Sequence, residues 1–125
     1  MPKKILVVDD EPSFCEVLRD LLEGNGYHVV EAHNGKEALK AYRRERPDVM
    51  LLDVLMPGRS GLRTFRELRA LDPEARVIMV SVLHEEALAK QAMDAGAIDY
   101  IAKPINLNDL EEALMANLAM QDGDV

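Results

Sequence analysis

The sequence predicts an α/β fold, a doubly wound five-stranded parallel sheet in the order 2-1-3-4-5 with helices on both faces. Three observations carry this expectation. Short apolar runs recur at 5–8, 29–32, 49–52, 77–80 and 98–102, and stretches of helical periodicity separate them. The first, third and fourth runs are continuously apolar, as strands covered by helices on both faces must be. The second and fifth carry Glu31 and Asp99 among apolar residues, which suits the two edges of the sheet.

Each connecting segment then reads as one helix. After the first run, Phe14, Val17, Leu18, Leu21 and Leu22 follow i, i+3, i+4, i+7, i+8 spacing, which places an apolar stripe on a first helix closed by Gly24 and Gly26. Ala38, Leu39 and Tyr42 mark a second helix after Asn34-Gly35, and Leu62, Phe65, Leu68 and Leu71 a third, halted before Pro73. Leu88, Ala92 and Ala95 mark a fourth, closed by Gly96. Leu107, Leu110, Leu114 and Leu118 mark a fifth, with Asn106 as its N-cap.

A chain of 125 residues is long enough to bury a core without disulfides or structural metal, and a second domain does not fit. The expected organisation is one domain over 1–120 with a short C-terminal tail, 121–125. A net charge of -8 argues against non-specific binding to nucleic acid or anionic lipid, because both need clustered Lys and Arg. No apolar stretch approaches the ~18 residues of a membrane helix, and the run after Lys3 and Lys4 stops at Asp9, too early for an export signal. Cys15 stands alone, so it makes no internal disulfide or cysteine-based metal site, which fits a cytoplasmic location. It reads as a small buried apolar residue. None of His28, His33 and His84 has a metal partner at a recognised spacing, and each reads as a surface or loop histidine.

In an open parallel sheet, ligands bind beyond the carboxyl ends of the strands where the strand order reverses, here between the first and third strands. Asp9 and Asp10 end the first run and Asp53 ends the third, so these carboxylates should meet. Crowded carboxylates repel one another until a proton or a cation relieves them. Oxygen donors suit a hard ion such as Mg²⁺, or Mn²⁺ in its place. The plainer reading is that Asp10 caps the first helix and Asp53 opens a turn. Ser81 ends the fourth strand and Lys103 follows the fifth, which brings a hydroxyl donor and an ammonium to the same edge. Phosphoryl transfer requires such donors around the charged equatorial oxygens.

At this point the sequence resembles a known family. The segments Val7-Val8-Asp9-Asp10-Glu11-Pro12 and Asp53-Val54-Leu55-Met56-Pro57-Gly58 through Gly61, with Ser81 and Tyr100-Ile101-Ala102-Lys103-Pro104, are similar in order and spacing to response-regulator receiver domains. The resemblance covers nearly the whole chain and implies a flavodoxin-like fold and a part in two-component phosphorelay signalling. It implies that Asp53 takes a phosphoryl group from the phosphohistidine of a sensor histidine kinase or phosphotransfer protein. Asp9, Asp10 and Asp53, with the backbone carbonyl of Leu55, would hold the metal; Lys103 and Ser81 would meet phosphoryl oxygens; and the Lys103–Pro104 bond, with Pro104 as a structural residue, would be cis. Ser81 and Tyr100 would carry the signal to a face made by the fourth helix, fifth strand and fifth helix, changing affinity for a downstream effector or promoting a homodimer. The protein would then be a switch that assists its own phosphorylation and dephosphorylation, not an enzyme for outside substrates.

Some features depart from the family or oppose other readings. Val82 stands where such domains usually have Ala or Gly, and Ser81 replaces the commoner Thr. Leu55 and Leu83 should flank the path of attacking water without positioning it, so a slow loss of phosphate is expected, accelerated in a Leu55→Asn, Leu83→Glu variant. An aspartate-nucleophile phosphatase carries a second Asp two residues after the first, where this chain has Leu55. A flavodoxin-like binder offers Ser, Thr and Gly to phosphate, whereas Asp9-Asp10-Glu11 repels it unless a metal intervenes. A purely structural interaction domain is the third alternative. The fifth helix has no Lys or Arg between Leu107 and Met120, which disfavours the charge-paired dimer of winged-helix regulators. The stretch from Lys103 through Leu107 resembles receivers joined to ATPase activators.

Overall fold

The computed structural model describes residues 2–56, 58, 60–82 and 85–122, without the side chains of 119–122. Five parallel strands, β1 (Lys4–Val8), β2 (His28–Ala32), β3 (Val49–Asp53), β4 (Val77–Ser81) and β5 (Asp99–Ala102), pair in the order β2-β1-β3-β4-β5. Helices α1 (Pro12–Gly24), α2 (Gly35–Glu45), α3 (Gly61–Leu71), α4 (Glu86–Asp94) and α5 (Leu107–Asp122) connect and complete them. Strand order and helix count are those expected, and the strands bearing Glu31 and Asp99 are the edges.

Alternation along the strands divides the core into two layers. Leu6, Val8, Met50, Leu52, Val77 and Met79 pack on Ala38, Tyr42, Phe65, Leu68 and Ala92 of α2, α3 and α4. Ile5, Val7, Leu51, Ile78 and Val80 pack on Cys15, Leu18 and Leu22 of α1 and on Leu110, Leu114 and Leu118 of α5. The helix starts follow from their caps. Asn34 accepts a bond from Glu37 N at 2.8 Å, Ser60 from Arg63 N at 3.2 Å, and Asn106 from Asn108 N at 2.9 Å.

Four residues of the predicted apolar stripes are exposed. Phe14, Leu18 and Leu22 of the predicted α1 stripe pack on the sheet together with Cys15, while Val17 and Leu21, at the margin of that stripe, face outward. Leu71 and Leu107 are exposed because they lie at the last position of α3 and the first of α5, past the reach of the sheet.

Candidate functional site: an acidic pocket at the carboxyl edge of the sheet

Parallel pairing brings every strand's carboxyl end to one edge. Val8 pairs with Leu52, Asp53 with Val80, and Ser81 with Ala102, so Asp9, Asp53, Ser81 and Lys103 stand side by side although they are scattered through the sequence. Lys103 N donates to Ser81 O at 2.8 Å, which continues the ladder one residue beyond β5. The Lys103–Pro104 bond is cis.

Asp9 is buried and doubly anchored. Its backbone N–H donates to Ala32 O at 3.1 Å, and its Oδ1 accepts from Glu11 N at 2.9 Å. Its Oδ2 accepts from Lys103 Nζ at 2.6 Å. Asp53 is buried too; its Oδ1 accepts from Leu55 N at 3.1 Å, and its Oδ2 lies 3.5 Å from Lys103 Nζ. Asp10 is exposed and does not cap α1, whose N-cap is Glu11 without a side-chain bond. Carboxylate oxygens of Asp9, Asp10 and Asp53 lie within 4.8 Å of one another.

The loop after Asp53 is set by Gly61. A Cβ there would fall 2.0 Å from Asp53 O and 2.8 Å from Val54 Cα, and Gly61 N donates to Val54 O at 2.8 Å. Only a residue without a side chain lets α3 begin this close to the pocket.

Burial, and after it the charge of Asp9, raises the Asp53 carboxyl from 3.8 to about 6, although Leu55 N–H and Lys103 oppose the shift. Burial also pulls on Lys103 in the direction of deprotonation. The bond to Asp9 and the charges of Asp53 and Asp9 outweigh it, so this ammonium is held above its usual value. Three carboxylates against one ammonium leave two negative charges when all are ionised, which matches one divalent cation. The donors are all oxygen, as a hard ion requires.

Ser81 is fully buried at the end of β4. Tyr100 is half-buried on β5 and lines a groove of about 560 Å³ with Asp99, Pro104, Asp109, Glu112 and Asn117. Leu55 and Val82 are exposed beside the pocket; Leu83, its expected companion, and Pro57 lie outside the described residues. The sequence marks one further neighbour only as part of the first helix's apolar stripe. The Phe14 ring centroid lies 4.1 Å from Lys103 Nζ, a cation–π contact from α1. No spacing rule links a helix-one aromatic to a lysine after the fifth strand.

Residues 5–115 match the sequence model of the family described as response regulator receiver domain. The chain is 36% identical to a chemotaxis protein CheY of Thermotoga maritima, over 91% of this chain and 96% of that one. A CheY-like response regulator receiver domain from Methanospirillum hungatei superposes with a TM-score of 0.91 at 30% identity, covering 98% of each chain. The CheX–CheY–BeF3–Mg complex from Borrelia burgdorferi contains a chain similar at 29% identity and TM-score 0.88, over 93% of this chain and 89% of that one. The chain therefore belongs to the response regulator receiver family, the phosphoryl-accepting domains of two-component systems.

Proposed function

We propose that Asp53 is the phosphoryl acceptor of a receiver unit spanning 1–120, and that Asp9, Asp10, Asp53 and the Leu55 carbonyl hold Mg²⁺ or Mn²⁺. The observation that carries this reading is the meeting of three carboxylates within 4.8 Å beside Lys103. The residues present fit the ion, since the pocket has oxygen donors, and burial together with the charge of Asp9 lifts the Asp53 carboxyl. When bound, the ion supplies counter-charge to phosphoryl oxygens.

The donor is the phosphohistidine of a sensor histidine kinase or phosphotransfer protein. An Asp53 carboxylate oxygen attacks phosphorus, an O–P bond forms, the N–P bond breaks, and the imidazole leaves with the electron pair and takes up a proton. Lys103 turns from the carboxylates to an equatorial oxygen of the new aspartyl phosphate, and the Ser81 hydroxyl donates to another. Movement of Ser81 opens space behind it for Tyr100, which alters the groove along β5 and α5 and the affinity for an effector. Coupling of this kind is typically ~1–3 kcal/mol. The Borrelia complex holds a similar chain together with BeF3, magnesium and CheX, which supports a pocket of this kind taking a divalent ion and a phosphoryl-like group. No described helix is long and apolar enough to cross a membrane, and the place of action we assign is the cytoplasm.

Acetyl phosphate with Mg²⁺, followed by intact mass, tests the assignment. One phosphoryl group should be gained, a chelator or Asp53→Asn should abolish the gain, and NMR shifts should reach Tyr100. Labelling that survives in Asp53→Asn or in chelator overturns the acceptor, continuous turnover points to a phosphatase, and shifts confined to the pocket overturn the switch.

A further inference from the structure

A second cluster of ligand atoms lies on the α1 side of β2, where the sequence shows no metal motif. Glu31 and His33 are two residues apart on and just after the edge strand, so alternation turns both to the face that α1 covers. Cys15 comes from α1. The Cys15 sulfur, a Glu31 carboxylate oxygen and a His33 ring nitrogen all lie within 4.8 Å of one another.

We propose that Cys15, Glu31 and His33 form a second cation site, one that takes a thiophilic divalent ion of the Zn²⁺ class and not the hard ion of the acidic pocket. The donor set is sulfur, nitrogen and oxygen, which favours Zn²⁺ and Co²⁺, whereas Mg²⁺ seeks oxygen alone. Three protein ligands leave a fourth tetrahedral position to water. Sulfur, imidazole and carboxylate bond such ions at roughly 2.0–2.3 Å, so the triad closes by small side-chain movements from its present spread.

The surroundings already orient the ligands. Arg19 Nε donates to Glu31 Oε2 at 2.7 Å, which fixes the carboxylate and leaves Oε1 towards His33, 3.2 Å from its Nε2. That is the arrangement by which outer partners aim metal-binding carboxylates. Cys15 is fully buried, while the His33 side chain is 39% exposed, so an ion reaches the triad from the His33 side. Burial, then the charges of Asp9 and Glu31, push the free thiol up to about 12. The carboxylates that oppose a bare thiolate favour a cation beside it. On binding, a metal–sulfur bond replaces the S–H bond and the proton leaves to solvent. The Asp9 carbonyl, 3.6 Å from the sulfur, loses its donor, so occupancy is felt in the turn that carries Asp9 and Asp10.

Co²⁺ is the probe. Added to chelator-stripped protein in excess Mg²⁺, it should give thiolate-to-cobalt charge transfer in the near ultraviolet and the intense visible bands of tetrahedral cobalt, saturating at one equivalent. Cys15→Ser should remove the charge transfer. His33→Ala changes a part-exposed side chain that leaves the core intact, and it should weaken binding at least roughly tenfold, while Asp53→Asn should keep the band. Absence of charge transfer in the native protein, its loss to Mg²⁺ competition, or full-strength binding in His33→Ala overturns the site. None of these outcomes bears on phosphorylation of Asp53.

Discussion

Asp53 is buried with Asp9 beside it, so in chelator the folded chain binds a proton there more tightly than the unfolded chain does. The associated stability is fully present below the ordinary value of 3.8 and is lost as pH rises through about 6. Asp53→Asn removes that loss. In chelator its melting temperature should therefore rise above that of the native protein as pH climbs through this window, and the gap should close below it; a gap independent of pH contradicts the account. Lys103 has the opposite problem, since it must stay charged in a largely buried place and also be aimed. Asp9 and Asp53 supply the charge, and the ring of Phe14 limits where the ammonium can sit. A desolvated cation–π contact contributes about 1–2 kcal/mol. Phe14→Ala should slow labelling by acetyl phosphate roughly fivefold or more, Phe14→Tyr should retain it, and equal rates in all three proteins would leave the ring with packing alone.

Among the elements, α3 and the loop before it show how tightly the acceptor is framed. The start of α3 touches the Asp53 and Val54 backbone, and a methyl group at Gly61 overlaps the Asp53 carbonyl. The neighbour is backbone and cannot rotate away, so Gly61→Ala must move either the helix or the acceptor loop. Overpacking of this kind costs about 1–3 kcal/mol, readable in urea unfolding, and labelling should fall with it. Unchanged stability and labelling would mean that the loop yields freely. On the opposite side, α1 packs through Phe14, Leu18 and Leu22 of its apolar stripe, with Cys15 between them. Turning Cys15 inward places its sulfur by the Asp9 carbonyl and by Glu31, and it leaves Val17 and Leu21 exposed.

Over the whole molecule, a charge of -8 is spread over a domain whose two core layers sit on either side of one sheet. Self-repulsion of that size destabilises the compact state and is screened by salt. The melting temperature should rise with sodium chloride. At equal ionic strength magnesium chloride should raise it further, because an ion bound only by the folded pocket adds stability through mass action. The magnesium excess should shrink in Asp53→Asn while the sodium effect persists. An equal response to both salts in the native protein would argue against a specific site.

The sequence by itself determined the βαβ rhythm, the two polar edge strands, the capped start of α5, and the meeting of Asp9, Asp53, Ser81 and Lys103. All of these follow from local periodicity plus one topological rule, that parallel strands end on the same edge. Only the tertiary structure decided that Val17 and Leu21 of the α1 stripe stay exposed, that Lys103 lies nearer Asp9 than Asp53, that Phe14 stacks against that lysine, and that Cys15 meets Glu31 and His33. The reason is physical. Spacing along a chain fixes which side chains share a face, but the rotation of a helix on its sheet is set by packing among residues far apart in sequence, and contacts at the seam between elements depend on that rotation.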